Sequence, residues 1–489
     1  MTLISRILGF VRDVVLAQYF GAGSAYDAFI IAFKIPNFLR RLFAEGAFSQ
    51  AFVPVISEYK LQHSQQTTKL FLDRVAGGLL LILFIVVVLG MLGTPYIVQI
   101  FAPGFSNNAA QLQLASNLLQ ITFPYVLLIA MVALSGGILN SYDKFALPAL
   151  TPVLLNISFI VAAIFVAPLL QIPITALAWG LLVAGVLQFL LQVPLLYHLK
   201  LLPSPKICWS DPGVRKILRL MVPALLGVAV VQINLIIDSV FASFLEAGSI
   251  SWLYFSERLM ELPLGVFGVA LATVILPKLS RSHILRDTGE FQATTQWALQ
   301  WVLLIAMPAA VGLYMLAVPL LELLFMRGAF DLHDVLMTAR SLQAYAGGVV
   351  AFMLIKVLAS VFYARQDIRT PVRIAIVAVM VNIGGNALLV GPLQHAGLAW
   401  ATTISAGVNA GLLCLLLLRR NIYKLQLALL LTLLRVSIAS VVMILVLLYS
   451  GVPIILLIIL GGLSYLMTIL ASYYIPQLFF SKNVNNYQR

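Results

Sequence analysis

Runs of about 18 or more apolar residues, parted by short polar joints, recur from one end of the chain to the other. A helix needs about 20 such residues to cross the hydrocarbon core of a bilayer. This pattern confines the chain to a membrane. Of its 489 residues 62% are apolar and 10% charged, with a mean hydropathy of +1.04; soluble domains run near ~45–50% and ~25%. No soluble interior of this size hides so much Leu, Ile and Val. A transmembrane barrel would show alternating segments of ~10 residues, which are absent. The expectation is an all-α integral membrane protein.

The runs predict about fourteen helices, near 1–20, 25–54, 75–101, 112–141, 149–169, 174–198, 215–245, 249–278, 292–326, 336–364, 370–391, 396–418, 426–449 and 452–475. Turn chemistry marks the joints, as at Gly21–Ser24, Pro203–Pro205 and Gly391–Pro392. Lys and Arg gather in the even joints, including Lys60, Lys69, Lys144, Lys200, Arg281, Arg365 and Arg419. The odd joints hold none, apart from Arg327 and Arg340 around the ninth. The positive-inside rule then places the even joints and both termini in the cytoplasm of a multi-pass inner-membrane protein. The net charge of +13 is mainly a topology signal, so nucleic acid is not expected as a partner. Arg6 and Arg12 interrupt the first apolar run, and no small-residue cleavage site follows, so no cleavable signal peptide is expected.

The chain also repeats itself at a shift near 224. Asp13–Ala17 faces Asp238–Ala242, and Ala22-Gly23-Ser24 faces Ala247-Gly248-Ser249. Pro95, Phe101 and Gly104 face Pro319, Phe325 and Gly328, and Leu177-Ala178-Trp179 faces Leu398-Ala399-Trp400. The shared order predicts two parallel six-helix lobes, 1–200 and 213–420, around a central cavity. Such repeats build transporters that rock one half against the other. Two further helices, 426–475, lie outside the repeat and carry little charge beyond Arg435.

The sharpest functional signal is charge inside the helices. The first holds Arg6, Arg12 and Asp13; the second Asp27, Lys34, Arg40, Arg41 and Glu45; the eighth Glu257, Arg258 and Glu261. Each Arg at mid-membrane costs about 2.5–3.5 kcal/mol, roughly 12–18 kcal/mol for five facing lipid. A watery cavity removes that cost. Asp27, Lys34 and Arg41 are spaced by seven, with Glu45 four further on, a single helical stripe. Pro36 and Pro263 fall within their helices, where they break hydrogen bonding and permit bending. The bland alternative is mutual pairing, Arg6 with Asp13 and Arg258 with Glu261, with Asp13, Asp27 and Glu45 serving only as partners. The cationic excess is mainly arginine, whose planar fork suits phosphate, so the charges point to an anionic and plausibly pyrophosphate-bearing substrate.

A weaker set is Asp238 with Asn234, Asn382, Asn386 and Thr402. It reads equally as a Na⁺ or H⁺ site and as an interhelical hydrogen-bond network. The five histidines lie in joints or near helix ends, and Cys208 and Cys414 lie far apart. No metal spacing and no catalytic set appears.

Ser5-Arg6-Ile7-Leu8-Gly9-Phe10-Val11-Arg12-Asp13, Phe20–Gly23 and Asp27-Ala28-Phe29 resemble the opening of the MurJ/MviN lipid II flippases. The stretch from Pro36-Asn37-Phe38-Leu39-Arg40-Arg41 to Phe52-Val53-Pro54 is similar to that family's most distinctive segment, and Glu257-Arg258-Leu259-Met260-Glu261-Leu262-Pro263 to a third motif. The resemblance covers essentially the whole chain. It implies the fold of the multidrug/oligosaccharidyl-lipid/polysaccharide exporter superfamily and the flipping of lipid II for peptidoglycan and cell-wall synthesis, without a cofactor. Carried over by motif, Arg6, Arg12, Arg40 and Arg258 bind the pyrophosphate head, supported by Asp27, Lys34, Arg41, Glu257 and Glu261. The last two helices form a groove for the polyprenyl tail. Asn386 stands where some relatives hold an acid, which weighs against Na⁺ coupling. Relatives usually carry about a dozen residues before the Ser-Arg pair, so helix one is short by roughly 18 Å, and a start codon upstream of Met1 is expected.

Two rivals remain at this level. One is an exporter of the same fold for another polyprenyl-linked glycan or for drugs, although a cationic-drug pump favours acids in its cavity. The other is a membrane enzyme acting on polyprenyl phosphates, which needs an Asp-rich or His-containing site that the sequence lacks.

Overall fold

The computed structural model describes residues 2–41 and 48–486; the side chains of 2–4, 49, 223–224, 226–235, 269 and 473–486 are outside the description. Every regular element among the described residues is helical. In order these are α1 (Thr2–Phe20), α2 (Ser24–Leu39), α3 (Ser49–Gln62), α4 (Gln65–Leu92), α5 (Thr94–Phe101), α6 (Ala109–Thr122), α7 (Tyr125–Ser141), α8 (Ala146–Val161), α9 (Thr175–His198) and α10 (Pro212–Ala242). There follow α11 (Ser249–Pro263), α12 (Val269–Ile284), α13 (Thr288–Met315), α14 (Ala317–Phe325), α15 (Leu332–Ala346), α16 (Val349–Ala364), α17 (Arg369–Arg419), α18 (Leu427–Tyr449) and α19 (Ile454–Asn486).

Nine helical segments among the described residues are long and apolar enough to cross a membrane, or ten when α15 and α16, bent by 41°, count as one. α1 covers its predicted range but is not among them, since Arg6, Arg12 and Asp13 fall within its 19 residues. α17 has 51 residues, about 77 Å if straight and more than twice the hydrocarbon core. Gln394 breaks it with φ 51° and ψ −134°, which restores the two predicted helices on either side of Pro392. Past Pro263 the backbone takes a π-helical turn, Leu264–Gly268, before α12. Both interruptions follow closely on a proline.

Joint residues cap the helices they precede. Ser64 accepts from the Thr67 amide at the start of α4, and Asp211 accepts from Gly213 and Val214 ahead of α10, whose first residue is Pro212. These caps satisfy amides that a helix start leaves without partners.

The chain forms two compact units. The first is Met1–Ser251 with Arg327–Asp331; the second is Trp252–Met326 with Leu332–Arg489. In the first, Phe48, Phe52, Phe71 and Tyr59 stack at the centre of an apolar core that joins α3, α4, α7 and α10. In the second, Val436, Ala439 and Met443 of α18 and Tyr465 of α19 pack on α13, where the Tyr465 hydroxyl donates to the Leu304 carbonyl at 3.0 Å.

The short segment Arg327–Asp331 joins the first unit for a specific reason. The Ala329 amide donates to the Gln18 carbonyl at 2.8 Å, at the end of α1. The repeat-related Gly104 amide donates to the Ser243 hydroxyl at 3.0 Å, just beyond α10. Each half's Phe-x-x-Gly turn therefore docks on the end of the other half's first helix.

Candidate functional site

The charged residues of α1 have different fates. Arg12 and Asp13 are 8% and 2% exposed. The Arg12 guanidinium donates to Asp13 Oδ1 from both Nε and Nη2, at 3.0 and 2.7 Å. Its Nη1 donates to Asn156 Oδ1 of α8 at 3.1 Å, and its Cζ lies 5.8 Å from the centre of the Phe159 ring. Asn156 in turn donates to the Ser5 carbonyl at 3.1 Å. A buried arginine is tolerated because charge, hydrogen bonds and an aromatic face together replace water. Arg6, one and a half turns earlier, is exposed, and its side chain makes no hydrogen bond or ion pair among the described residues.

On α2 the expected stripe divides as well. Asp27 is 2% exposed: Oδ2 accepts from the Gly248 amide at 2.7 Å, and Oδ1 accepts from the Ser251 amide at 2.8 Å and the Ser251 hydroxyl. It caps the start of α11, where a carboxylate also meets the positive end of the helix dipole. Lys34 is half-buried and donates to the Ser239 hydroxyl of α10 at 3.0 Å. Arg40 is half-buried, with Nε donating to Asn37 Oδ1 at 3.1 Å, and Arg41 is exposed. Glu45 lies outside the described residues.

In the second unit Arg258 is 34% exposed, donates to Glu261 Oε2 at 2.8 Å and lies 4.9 Å over the Tyr254 ring. Here the pairing expected from spacing forms, at a half-exposed site. Glu257 is half-buried one residue before. The weaker set divides between the units. Asp238 is on α10 in the first, while in the second Asn382 donates to Thr402 Oγ1 at 3.1 Å and Asn386 donates to Asn382 Oδ1 at 3.3 Å. Thr402 donates onward to the Leu398 carbonyl at 3.0 Å, so the amides and hydroxyl form a chain across the break in α17. The Asn234 side chain is outside the description. No cluster of three or more His, Cys, Asp or Glu occurs among the described residues.

Spacing alone missed a polar cavity in the first unit. It has a volume of about 420 Å³ beside Arg40, among α7, α8 and α9. Gln188 and Gln192 of α9 are 2% and 0% exposed and tie its walls together. Gln188 Nε2 donates to the Thr151 carbonyl at 2.8 Å, and Gln192 Nε2 to the Val132 carbonyl at 3.3 Å. The available signal was two amides four apart in an otherwise apolar helix, hence on one face.

A family model described as "Lipid II flippase MurJ" matches residues 16–474. The chain is 47% identical over 454 residues to a probable lipid II flippase MurJ of Haemophilus influenzae, covering 90% of this chain and 89% of the relative. It is 44% identical over 427 residues to the lipid II flippase MurJ of Burkholderia cenocepacia, covering 86% and 83%. Among solved structures it is similar to a lipid II flippase MurJ in an inward closed conformation, with TM-score 0.84, 30% identity and 98% of each chain covered. It also shares the fold of a multidrug MATE transporter in an inward-facing conformation, with TM-score 0.69 and 15% identity over 86% of this chain and 94% of that one.

Proposed function

The chain belongs to the MurJ family of lipid II flippases, and we propose that its accessible arginines, Arg6, Arg40 and Arg258, hold the pyrophosphate of lipid II while the head crosses the membrane. It is a multi-pass membrane transporter of the peptidoglycan precursor, not an enzyme. The observation that carries the arginine assignment is exposure: these three side chains are exposed or half-exposed at the protein surface, whereas Arg12 is enclosed by Asp13 and Asn156. A guanidinium fork engages a phosphate bidentately. Arg12 then positions α1 against α8, and Glu261 keeps the Arg258 side chain extended over Tyr254 until the anion arrives.

In this reading both termini and the even joints face the cytoplasm of the inner membrane. The lobes 1–200 and 213–420 alternate access to the head, and 426–475 guides the polyprenyl tail. The membrane potential, about 2.3 kcal/mol per charge per 100 mV, biases the return of the emptied cationic site. The Asp238 region offers a cation or proton a foothold, while the hydrogen bond from Asn382 to Thr402 favours a structural part for those two residues.

The test is replacement of the only copy in a cell by Arg6→Ala, Arg40→Ala or Arg258→Ala at normal membrane abundance. Expected are failed growth and accumulation of lipid II on the cytoplasmic leaflet. Unimpaired growth of all three refutes the arginine assignment, and accumulation of a different polyprenyl-linked glycan refutes the cargo.

A further inference from the structure

The cavity beside Arg40 is a site with a chemistry of its own. Its volume, about 420 Å³, falls in the range of small-molecule pockets, ~300–1,000 Å³. It exists because the sequence keeps its walls thin. Gly136 and Gly137 face it from α7, and Pro148 and Pro152 from α8. Pro152 has no amide to give the Pro148 carbonyl, and the Thr151 hydroxyl donates to that carbonyl at 2.9 Å instead. Backbone demand on this wall is thus met from within.

The same is not true of Gln192. Its amide nitrogen is engaged, yet its Oε1 is buried and has no hydrogen-bond partner among the described residues. An orphaned buried acceptor costs about 1–3 kcal/mol, and this one lies 3.6 Å from where a Cβ on Gly136 would stand, at the cavity wall. It asks for an N–H or O–H donor. Asn140, exposed on the same wall, offers an amide that both donates and accepts. The lining therefore combines one guanidinium with neutral amides, and no carboxylate is among its lining residues.

That polarity fits a ligand in which an anion adjoins a neutral, hydroxyl- and amide-bearing group. We infer that the cavity among α7, α8 and α9 is a subsite for the sugar next to the pyrophosphate, with Arg40 on the phosphate side and Gln192 and Asn140 on the sugar's hydroxyl and amide hydrogens. The inference rests on the arginine reading above and adds a neutral half to it. The glycan is then read by hydrogen bonding as well as by charge. A site built to pair a donor rejects a ligand that lacks it, because the acceptor stays unpaired.

The experiment compares two probes on purified full-length protein in nanodiscs: lipid II, and the same polyprenyl pyrophosphate without its glycan. Asn140→Leu at the exposed edge and Ala133→Leu in the wall occlude the subsite. Gln192→Met removes the acceptor at nearly constant volume. The expected result is a loss of at least tenfold in lipid II affinity for each variant, with polyprenyl pyrophosphate binding unchanged within twofold. Equal loss of both probes, or loss of neither, overturns the subsite. If Gln192→Met does not fold, as judged by its melting curve, the exposed Asn140→Leu decides alone. Arg40→Ala separates the two claims: it weakens both probes if the arginine reading holds, and leaves both intact if that reading fails, whatever Asn140→Leu does.

Discussion

Among single residues, the arginines that resemble one another in sequence are physically unlike. Arg12 and Asp13 form a neutral couple with side chains 9% and 3% exposed. Removing one member of a buried pair takes the opposite charge away from the other, at about 3–5 kcal/mol. Arg12→Leu is therefore expected to lower the melting temperature in detergent sharply, and Arg12→Leu with Asp13→Asn to recover much of the loss. Strictly additive losses would disprove the coupling. Asp27 is a similar case. Asp27→Asn keeps an acceptor for the Gly248 or Ser251 amide but loses the charge, so the expected order of stability is wild type, Asn, Ala, with a spread of about 1–2 kcal/mol for a cap. The spacing of Asp27, Lys34 and Arg41 identified a charged helix, but not what each side chain touches. A carboxylate that caps a helix more than 200 positions away leaves no local signature, since its partners are backbone amides that any residue type supplies.

Whole elements were more legible than side chains. Apolar run length is a solvent property, so helix ranges such as 1–20, 174–198 and 426–449 lie within a few residues of Thr2–Phe20, Thr175–His198 and Leu427–Tyr449. Where the ranges differ, local backbone chemistry intervened: the predicted 292–326 divides at Leu316 into α13 and α14. The repeat pairing of Gly104 with Gly328 was visible, but not its purpose. A Cβ on Gly104 would stand 2.0 Å from the Ser243 carbonyl oxygen, and one on Gly328 2.3 Å from the Gln18 carbonyl oxygen. Both obstacles are backbone and cannot rotate away. Gly328 also has φ +60°, which adds about 1 kcal/mol for an L side chain. Gly104→Ala is expected to cost about 1–3 kcal/mol and Gly328→Ala somewhat more, by melting curve. Gly384→Ala is the control, with nothing within 4 Å, and is expected to be neutral or slightly stabilising in its helix. A mild phenotype for Gly104→Ala and Gly328→Ala alike would mean that the two turns dock loosely.

At the scale of the whole molecule the claim that organises all others is orientation, read from where Lys and Arg fall. The chain carries its own probe of it. Cys208 lies in the 199–211 joint after α9, partly exposed, with its sulfur 3.4 Å from the Ser210 hydroxyl. That hydrogen bond, joined by the nearby Arg74 charge, holds the Cys208 thiol below its ordinary value. The thiolate is the form that attacks a maleimide, so labelling should be fast at neutral pH. It should rise with pH and reach its half-maximum below the ordinary thiol value of about 8.5. Cys414, the other cysteine, lies within the apolar part of α17 and contributes little to a water-soluble reagent. A membrane-impermeant maleimide is thus expected to label the unaltered protein in inverted inner-membrane vesicles and to leave it unlabelled in intact spheroplasts, with Cys208→Ser abolishing the signal. Labelling from the outer face would invert every joint at once. The even joints and both termini would then lie outside, and the orientation on which alternating access is read here would fall with them.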